Sequence, residues 1–344
     1  MYDVMAIGNA LVDHEYLLSE AALEETELTK GNMTLAGLEE QQQLLAYFQL
    51  AEIEPSKQAG GGSAANTMFA FASLGGKPFY ACRVGDDKQG KFYLQDLNQA
   101  GVATSEQSIH KGGVTGSCVV AVTEDGERTM QTYLGTSSDI SAENVNFDAL
   151  VTADWLYLEG YLAMSESIQP AMTQLRQQAG VHNAKIAVSF ADPAVVKFAK
   201  DGLLNMLGNK VEIIFCNSEE ACLFTNKKQV KAAARALLEH CQIAVVTDGA
   251  KGAVIAQKPE HDAEGDSDDI IIHEIATPAV ADVIDTNGAG DNYAGAFLYA
   301  LSQHYSLPEC GRLASEVSAQ IIQQFGPRLE SQGYQDIAQR VLSA

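Results

Sequence analysis

The stretch Asp285-Thr286-Asn287-Gly288-Ala289-Gly290-Asp291, continuing through Asn292-Tyr293-Ala294-Gly295-Ala296-Phe297-Leu298, governs how the rest of the chain is read. The alternating pattern from Ala279 to Ile284 predicts a strand, the glycines a tight turn, and the small residues after them a helix. Lacking a Cβ, Gly288 and Gly290 let the backbone turn sharply and approach a ligand closely. The start of the helix offers N–H groups without intrahelical partners at the positive end of its dipole, which suits an anion. Asp291 falls on that first turn. N–H donors with one carboxylate at their mouth fit phosphoryl transfer. Gly288, Ala289 and Gly290 would hold the charge on the moving phosphoryl group, and Asp291 would take the proton of the attacking hydroxyl. The same residues also satisfy a plain capped turn, in which Asp285 and Asp291 only complement the helix dipole.

With 344 residues, 46% of them hydrophobic, the chain can build one large α/β domain or two smaller ones. No apolar run approaches the length of a membrane span. Met1-Tyr2-Asp3-Val4-Met5-Ala6-Ile7-Gly8 reads as a strand and not as a signal peptide, so a cytoplasmic protein is expected. The six cysteines form no C-x-x-C and read as reduced core residues, and the scattered histidines argue against zinc. A net charge of -23 argues against nucleic acid or an anionic membrane as partner. It also requires Mg²⁺ and helix N-termini to supply the positive potential of any nucleotide site.

Buried strands are predicted at Val4 to Ile7, Pro78 to Val84, Asp154 to Leu158, Lys185 to Phe190, Val211 to Cys216 and Ile243 to Thr247. Helical stretches alternate with them, one of them N-capped by Asp86 or Asp87, which predicts a largely parallel sheet covered on both faces. Two segments break the alternation. His14 to Gln58 is one; the other, Gly112 to Leu134, reads as two strands joined by Glu124-Asp125-Gly126-Glu127. They suggest a small β-rich lid made of residues 14–58 and 112–134, on an α/β core of residues 1–13, 59–111 and 135–344. The acidic run Glu260 to Asp269 reads as a solvated hairpin loop without a role.

D-T-N-G-A-G-D resembles the C-terminal signature of the ribokinase-like, PfkB-type carbohydrate and nucleoside kinases. Further motifs follow in that family's order from Gly8 to about Gly326. The resemblance implies an α/β, ribokinase-like fold: a central, mostly parallel sheet flanked by helices, with a small β-rich lid. It also implies ATP and Mg²⁺ as cofactors, Asp291 as catalytic base, and the Gly288-Ala289-Gly290 backbone as anion hole.

Asn217-Ser218-Glu219-Glu220 is, on its own, a capping box as readily as a pair of oxygen ligands. The family's N-x-x-E organises Mg²⁺ and the nucleotide phosphates, which implies that Asn217 and Glu220 hold Mg²⁺ through water. Thr247-Asp248-Gly249-Ala250-Lys251-Gly252 resembles a segment that lines the nucleotide, implicating Thr247, Gly249 and Gly252 and leaving Asp248 unexplained. The loop Gly60-Gly61-Gly62-Ser63-Ala64-Ala65-Asn66-Thr67 resembles the first signature, implying acceptor contacts from Gly61, Gly62 and Asn66.

Gly8-Asn9-Ala10-Leu11-Val12-Asp13 is similar to adenosine kinases more than to most sugar kinases, and implies that Asp13 binds acceptor hydroxyls. His14 departs from the apolar residue usual after that Asp. Arg128 is either a surface partner of the acidic turn or, as in adenosine kinases, a residue that reaches the transferring phosphate. Asp285 is either a helix-start carboxylate or, as in ribokinases, a ligand of a monovalent cation such as K⁺.

The combined expectation is transfer of the γ-phosphate of ATP to a primary hydroxyl, first of all the 5′-OH of adenosine. Met33, Leu35, Tyr133 and Leu134 would offer a purine an apolar lid surface. Asn287, where sugar kinases more often have Thr, favours the nucleoside branch. A sugar kinase and a non-catalytic nucleoside or sugar sensor are the alternatives. Expected partners are ATP and a small-molecule acceptor, with no nucleic acid and no membrane; a homodimer is allowed.

Overall fold

Apolar residues at consecutive positions, as in Ile213-Ile214-Phe215 and Ile243-Ala244-Val245-Val246, mark strands covered on both faces. The computed structural model of the chain places them at the centre of one sheet; it describes residues 1–259 and 270–343, so the acidic run Glu260 to Asp269 lies outside the described residues. The strands are Tyr2–Ile7 (β1), Leu11–Leu17 (β2), Met33–Leu35 (β3), Lys57–Gly61 (β4), Pro78–Ala81 (β5), Val84–Gly85 (β6), Ile109–His110 (β7), Thr115–Val122 (β8), Arg128–Gly135 (β9), Ala153–Leu158 (β10), Lys185–Ser189 (β11), Val211–Asn217 (β12), Cys241–Thr247 (β13), Ala253–Gln257 (β14) and Ile271–Ile275 (β15).

Eight of them form the central sheet in the order β15-β14-β13-β12-β11-β10-β1-β5. Pairing is parallel from β5 to β13, and β14 and β15 add an antiparallel edge. Along β1, Val4 and Ala6 point into one apolar core and Met5 and Ile7 into the other. The helices Ser63–Ser73, Ala289–Ser302 and Leu307–Ile321 cover the first face; Gln169–Val181, Ser218–Thr225 and Val230–Leu237 cover the second.

From β1 the chain goes to β5 on one side and later to β10 on the other. The crevice at the carboxyl ends of β1 and β10 is therefore a topological switch point, where open α/β sheets bind ligands. Asn9 and Glu159 leave those two strand ends and are bonded together. Glu159 Oε1 accepts from the Asn9 N–H at 3.1 Å and from Asn9 Nδ2 at 3.0 Å. Its Oε2 accepts from the Ala64 N–H at 2.8 Å, which ties the start of the helix Ser63–Ser73 to the same point. A second sheet of five strands, β3-β9-β8-β2-β4, stands over this crevice.

Three expectations change. The strand predicted from Ala279 to Ile284 does not form. The central sheet ends at β15, and the Ile284 and Asp285 N–H groups both donate to the Ile322 carbonyl, tethering the segment to a helix end. The strand predicted from Pro78 to Val84 stops at Ala81, and Val84–Gly85 pairs with Ile109–His110 in a separate ribbon. The boundary drawn after residue 13 falls inside β2, so Asp13 belongs to the second sheet. Asp87 does cap Lys88–Gln99, accepting from the Gly90 N–H at 2.7 Å. The cysteines are free, and among the described residues no helix is long and apolar enough to cross a membrane.

Candidate active site

Two glycines shape the crevice. Gly288 has φ +72° as N-cap of Ala289–Ser302, and a Cβ there would lie 2.5 Å from that of Pro327. Gly62 has φ +97° before Ser63–Ser73, and a Cβ there would lie 2.3 Å from the Asn9 carbonyl oxygen. The turn at Gly288 is held from below by Asn292, which is fully buried. Its Nδ2 donates to the carbonyls of Gly288 and Pro327, both at 2.7 Å, and its Oδ1 accepts from the Tyr334 hydroxyl at 2.5 Å. The starts of the helices at Ser63, Ser218 and Ala289 all reach one cavity of about 460 Å³.

Asp291 sits on the cavity floor. Its Oδ1 accepts from Ser63 Oγ at 2.6 Å and its Oδ2 from Asn66 Nδ2 at 3.0 Å. Burial raises its pKa, against those two bonds and the charge of Arg328. Four more carboxylates, Asp13, Glu159, Asp192 and Glu220, face the same space. Burial pushes Asp13 up to about 7, against the pull of Arg328 and Arg128. Glu159 is pushed to about 7 by burial, against the N–H groups of Ala64 and Asn9. Glu220 also reaches about 7, through burial and the negative charge of Asp192, Glu219 and Asp291.

The roof follows the two-residue period of its strands. Leu11 and Asp13 of β2, Cys118 and Val120 of β8, and Met130, Thr132 and Leu134 of β9 line the cavity, with Met33 and Leu35 of β3 beside them. Tyr133, expected on this surface, is instead turned to the opposite face of β9 by the same alternation.

The other expected residues divide. Asn217 and Glu220 both line the cavity, and they also complete a capping box. Asn217 Oδ1 accepts from the Glu220 N–H at 2.9 Å, while Asn217 Nδ2 donates to Glu220 Oε1 at 2.6 Å. These hard oxygens in a strongly negative wall fit a hydrated Mg²⁺. Among the described residues no three His, Cys, Asp or Glu side chains converge as a metal-binding cluster. Thr247 reaches the cavity, whereas Gly249 and Gly252 serve the turn between β13 and β14, where the Asp248 N–H donates to the Gly252 carbonyl at 2.7 Å. Asp248 accepts from Ser218 Oγ at 2.7 Å and so ties that turn to the neighbouring helix start.

Arg128 and Asp285 depart most from expectation. Arg128 does not line the cavity. Its Nη2 pairs with Asp285 and, at 3.4 Å, with Glu15. Asp285 also accepts from the N–H groups of Asn287 at 2.9 Å and Gly326 at 2.7 Å. Asp285 thus receives two backbone N–H groups and a guanidinium, and Arg128 meets both carboxylates through Nη2, its Nε and Nη1 having no hydrogen-bond partner among the described residues. Sequence reasoning did not single out Ser63, Glu159 or Arg328. A Glu just past a predicted strand was the available signal for Glu159; the other two gave none.

With this geometry in view, the profile of the pfkB family carbohydrate kinases matches residues 32–332. The chain belongs to the pfkB family. A solved structure described as adenosine kinase from Sinorhizobium meliloti is 31% identical, covers 98% of this chain and 99% of its own, and superposes with a TM-score of 0.86. A probable sugar kinase from Rhizobium etli is equally similar, at 31% identity, 98% coverage of each chain and a TM-score of 0.86. The adenosine kinase of Saccharomyces cerevisiae is 25% identical over 337 residues, 96% of this chain and 97% of that protein. This pfkB member is thus a kinase of the carbohydrate and nucleoside class, with the ribokinase-like fold that its motifs implied.

The buried carboxylates give a pH signature. Below pH 4.5 Glu159 is protonated whether the chain is folded or not, and between 4.5 and about 7 the folded chain alone keeps the proton. Its contribution to stability is therefore full at low pH and lost as pH rises through about 7; Asp13 acts alike from 3.8 to about 7. The melting temperature of the ligand-free protein is expected to fall as pH is raised across that window, with a shallower fall in Glu159→Gln. Differential scanning fluorimetry from pH 5 to 8 checks this, and a flat profile in the wild type would contradict it.

Proposed function

We propose that this kinase phosphorylates the 5′-hydroxyl of adenosine or a closely related nucleoside, using ATP. The observation that carries the proposal is the division of the cavity into an apolar roof, with Leu35, Val120, Met130 and Leu134, and a polar floor, with Asn66 and Asp291. A nucleoside has the same two sides. Burying a purine under the roof is worth roughly 25 cal/mol per Å², which a free sugar would forfeit. Of the two equally similar solved structures, one is named an adenosine kinase and the other a probable sugar kinase, so the cavity and not the names carries the choice of acceptor.

In this reading Asp13 and Asn66 bind the ribose hydroxyls, with Gly61 and Gly62 beside them. The 5′-oxygen attacks the γ-phosphorus, the bond to the β-phosphate oxygen breaks, ADP leaves, and the 5′-OH proton passes to Asp291. The raised pKa of Asp291 favours accepting that proton. The Gly288-Ala289-Gly290 backbone stabilises the charge on the moving group, and Gly290 suits the task because a Cβ there would meet no other group within 4 Å. Thr247, on the wall with Asn217, would face the nucleotide. Mg²⁺, held through water by Asn217 and Glu220, would neutralise phosphate charge when bound.

Asp291→Asn keeps the size of the side chain but not its basicity. Its kcat is expected to fall by about 10²–10⁴ while ATP binding by calorimetry persists. Near wild-type kcat in that variant would return Asp291 to the role of a helix-start carboxylate.

The acceptor is tested by a panel of adenosine, ribose, fructose and 2-keto-3-deoxygluconate. Adenosine is expected to have the highest kcat/KM. Asp13→Ala should impair every acceptor, and Leu134→Ala should impair adenosine selectively. Rapid turnover of a sugar, with adenosine neither phosphorylated nor bound, would make this a sugar kinase instead.

A further inference from the structure

Gly326-Pro327-Arg328 passes beneath the two helix starts that meet at Asp291. Arg328 is nearly buried, with 8% of its side chain exposed, and does not line the cavity. Its guanidinium lies 4.5 Å from the centre of the Phe69 ring, and Nη1 donates to Asp96 Oδ2 at 2.6 Å. Its Nε donates to Asn66 Oδ1 at 2.9 Å, and Asn66 Nδ2 donates in turn to Asp291 Oδ2 at 3.0 Å. We propose that Arg328 is a positioning residue for phosphoryl transfer, orienting Asp291 through the Asn66 amide; this rests on the reading of Asp291 as the base.

The physical reason is the one-sidedness of guanidinium. Arginine only donates, so it holds the amide oxygen and turns the amide nitrogen toward Asp291. Without that hold the amide could turn, and its oxygen would repel the carboxylate. With Ser63 on Oδ1 and Asn66 on Oδ2, the carboxylate plane is fixed and its remaining lone pairs are left for the acceptor hydroxyl. Arg328 also sets the charge balance. The groups acting on Asp291 are Ser63 and Asn66 from the helix Ser63–Ser73, Asp13 from β2, and Tyr157, Glu159 and Tyr161 from the end of β10. Glu220 acts from the helix Ser218–Thr225 and Arg328 from the C-terminal loop. Arg328 is the cation in that set.

The test is a double-mutant cycle. Arg328→Met keeps the chain length and loses the donors; Arg328→Lys keeps the charge and loses the planar fork. Each is made in the wild-type and in the Asn66→Ala background. kcat, KM for ATP, the pH profile of kcat and the melting temperature are then measured. Arg328→Met is expected to lower kcat by about 10–100-fold with KM for ATP little changed, because a misaligned base costs on that scale. Losing the cation should move the acid limb of kcat to higher pH. In the Asn66→Ala background the same change should cost less than about 3-fold, since the group it acts through is already gone.

Arg328→Lys should keep the acid limb in place and recover only part of kcat, and it decides the matter if the Met variant does not fold. Wild-type kcat in both Arg328 variants, or an equal loss in both backgrounds, would overturn the proposal. Loss of the base assignment shows separately, as an active Asp291→Asn.

Discussion

The close approach of two helices makes the site possible. Gly295 faces the helix Ser63–Ser73 so tightly that a Cβ there would lie 2.4 Å from the Thr67 carbonyl oxygen and 2.9 Å from the Ala70 Cβ. Because the two axes come that close, the starts of the two helices lie side by side. Asp291 on one then reaches Ser63 and Asn66 on the other. Glu159 fixes the first helix start to the ends of β1 and β10, and Asn292 fixes the second to the C-terminal loop. The Gly288 turn, Asp291 and the loop before Ser63 are thereby joined at the switch point of the sheet.

The electrostatics follow from the same crowding. Asp13, Glu159, Glu220 and Asp291 share a cavity within a chain of net charge -23, and burial raises the pKa of each. Among the described residues the cavity wall carries no Arg or Lys side chain, and three helix N-termini open onto it. The buried cations stand behind the wall. Arg328 is held by Asp96 and Asn66, and Arg128 is neutralised by Asp285 and Glu15. In the proposed reaction, phosphate would be met by backbone donors at Gly288 to Gly290 and by Mg²⁺.

Much of this was readable from the residues. Parallel strands appear as continuous apolar runs, so β1, β10, β11, β12 and β13 could be placed from composition alone. The motif around Gly288 marked its turn because few residues other than glycine adopt φ +72°. Side-chain direction was harder to read. Tyr133 and Leu134 are adjacent, and β-alternation sends only one of them to the cavity. Arg128 and Asp285 lie 157 residues apart in sequence, so local reading could not show that they pair. Glu159 looks like an exposed residue after a strand until the fold brings Asn9 and Ala64 against it. The segment from Ala279 to Ile284 alternates like a strand, yet the sheet offers it no edge.

In the proposed complex an acceptor hydroxyl, Asp291 and the Gly288-Ala289-Gly290 turn meet in one cavity beneath an apolar roof. A crystal structure with adenosine and a non-hydrolysable ATP analogue measures this directly. The expected complex has the ribose 5′-oxygen within hydrogen-bonding distance of the Asp291 carboxylate, the γ-phosphate on the Gly288–Gly290 N–H groups, and the purine against Leu35 and Leu134. A purine bound outside the roof, or a 5′-oxygen remote from Asp291 with the γ-phosphate elsewhere, would contradict it.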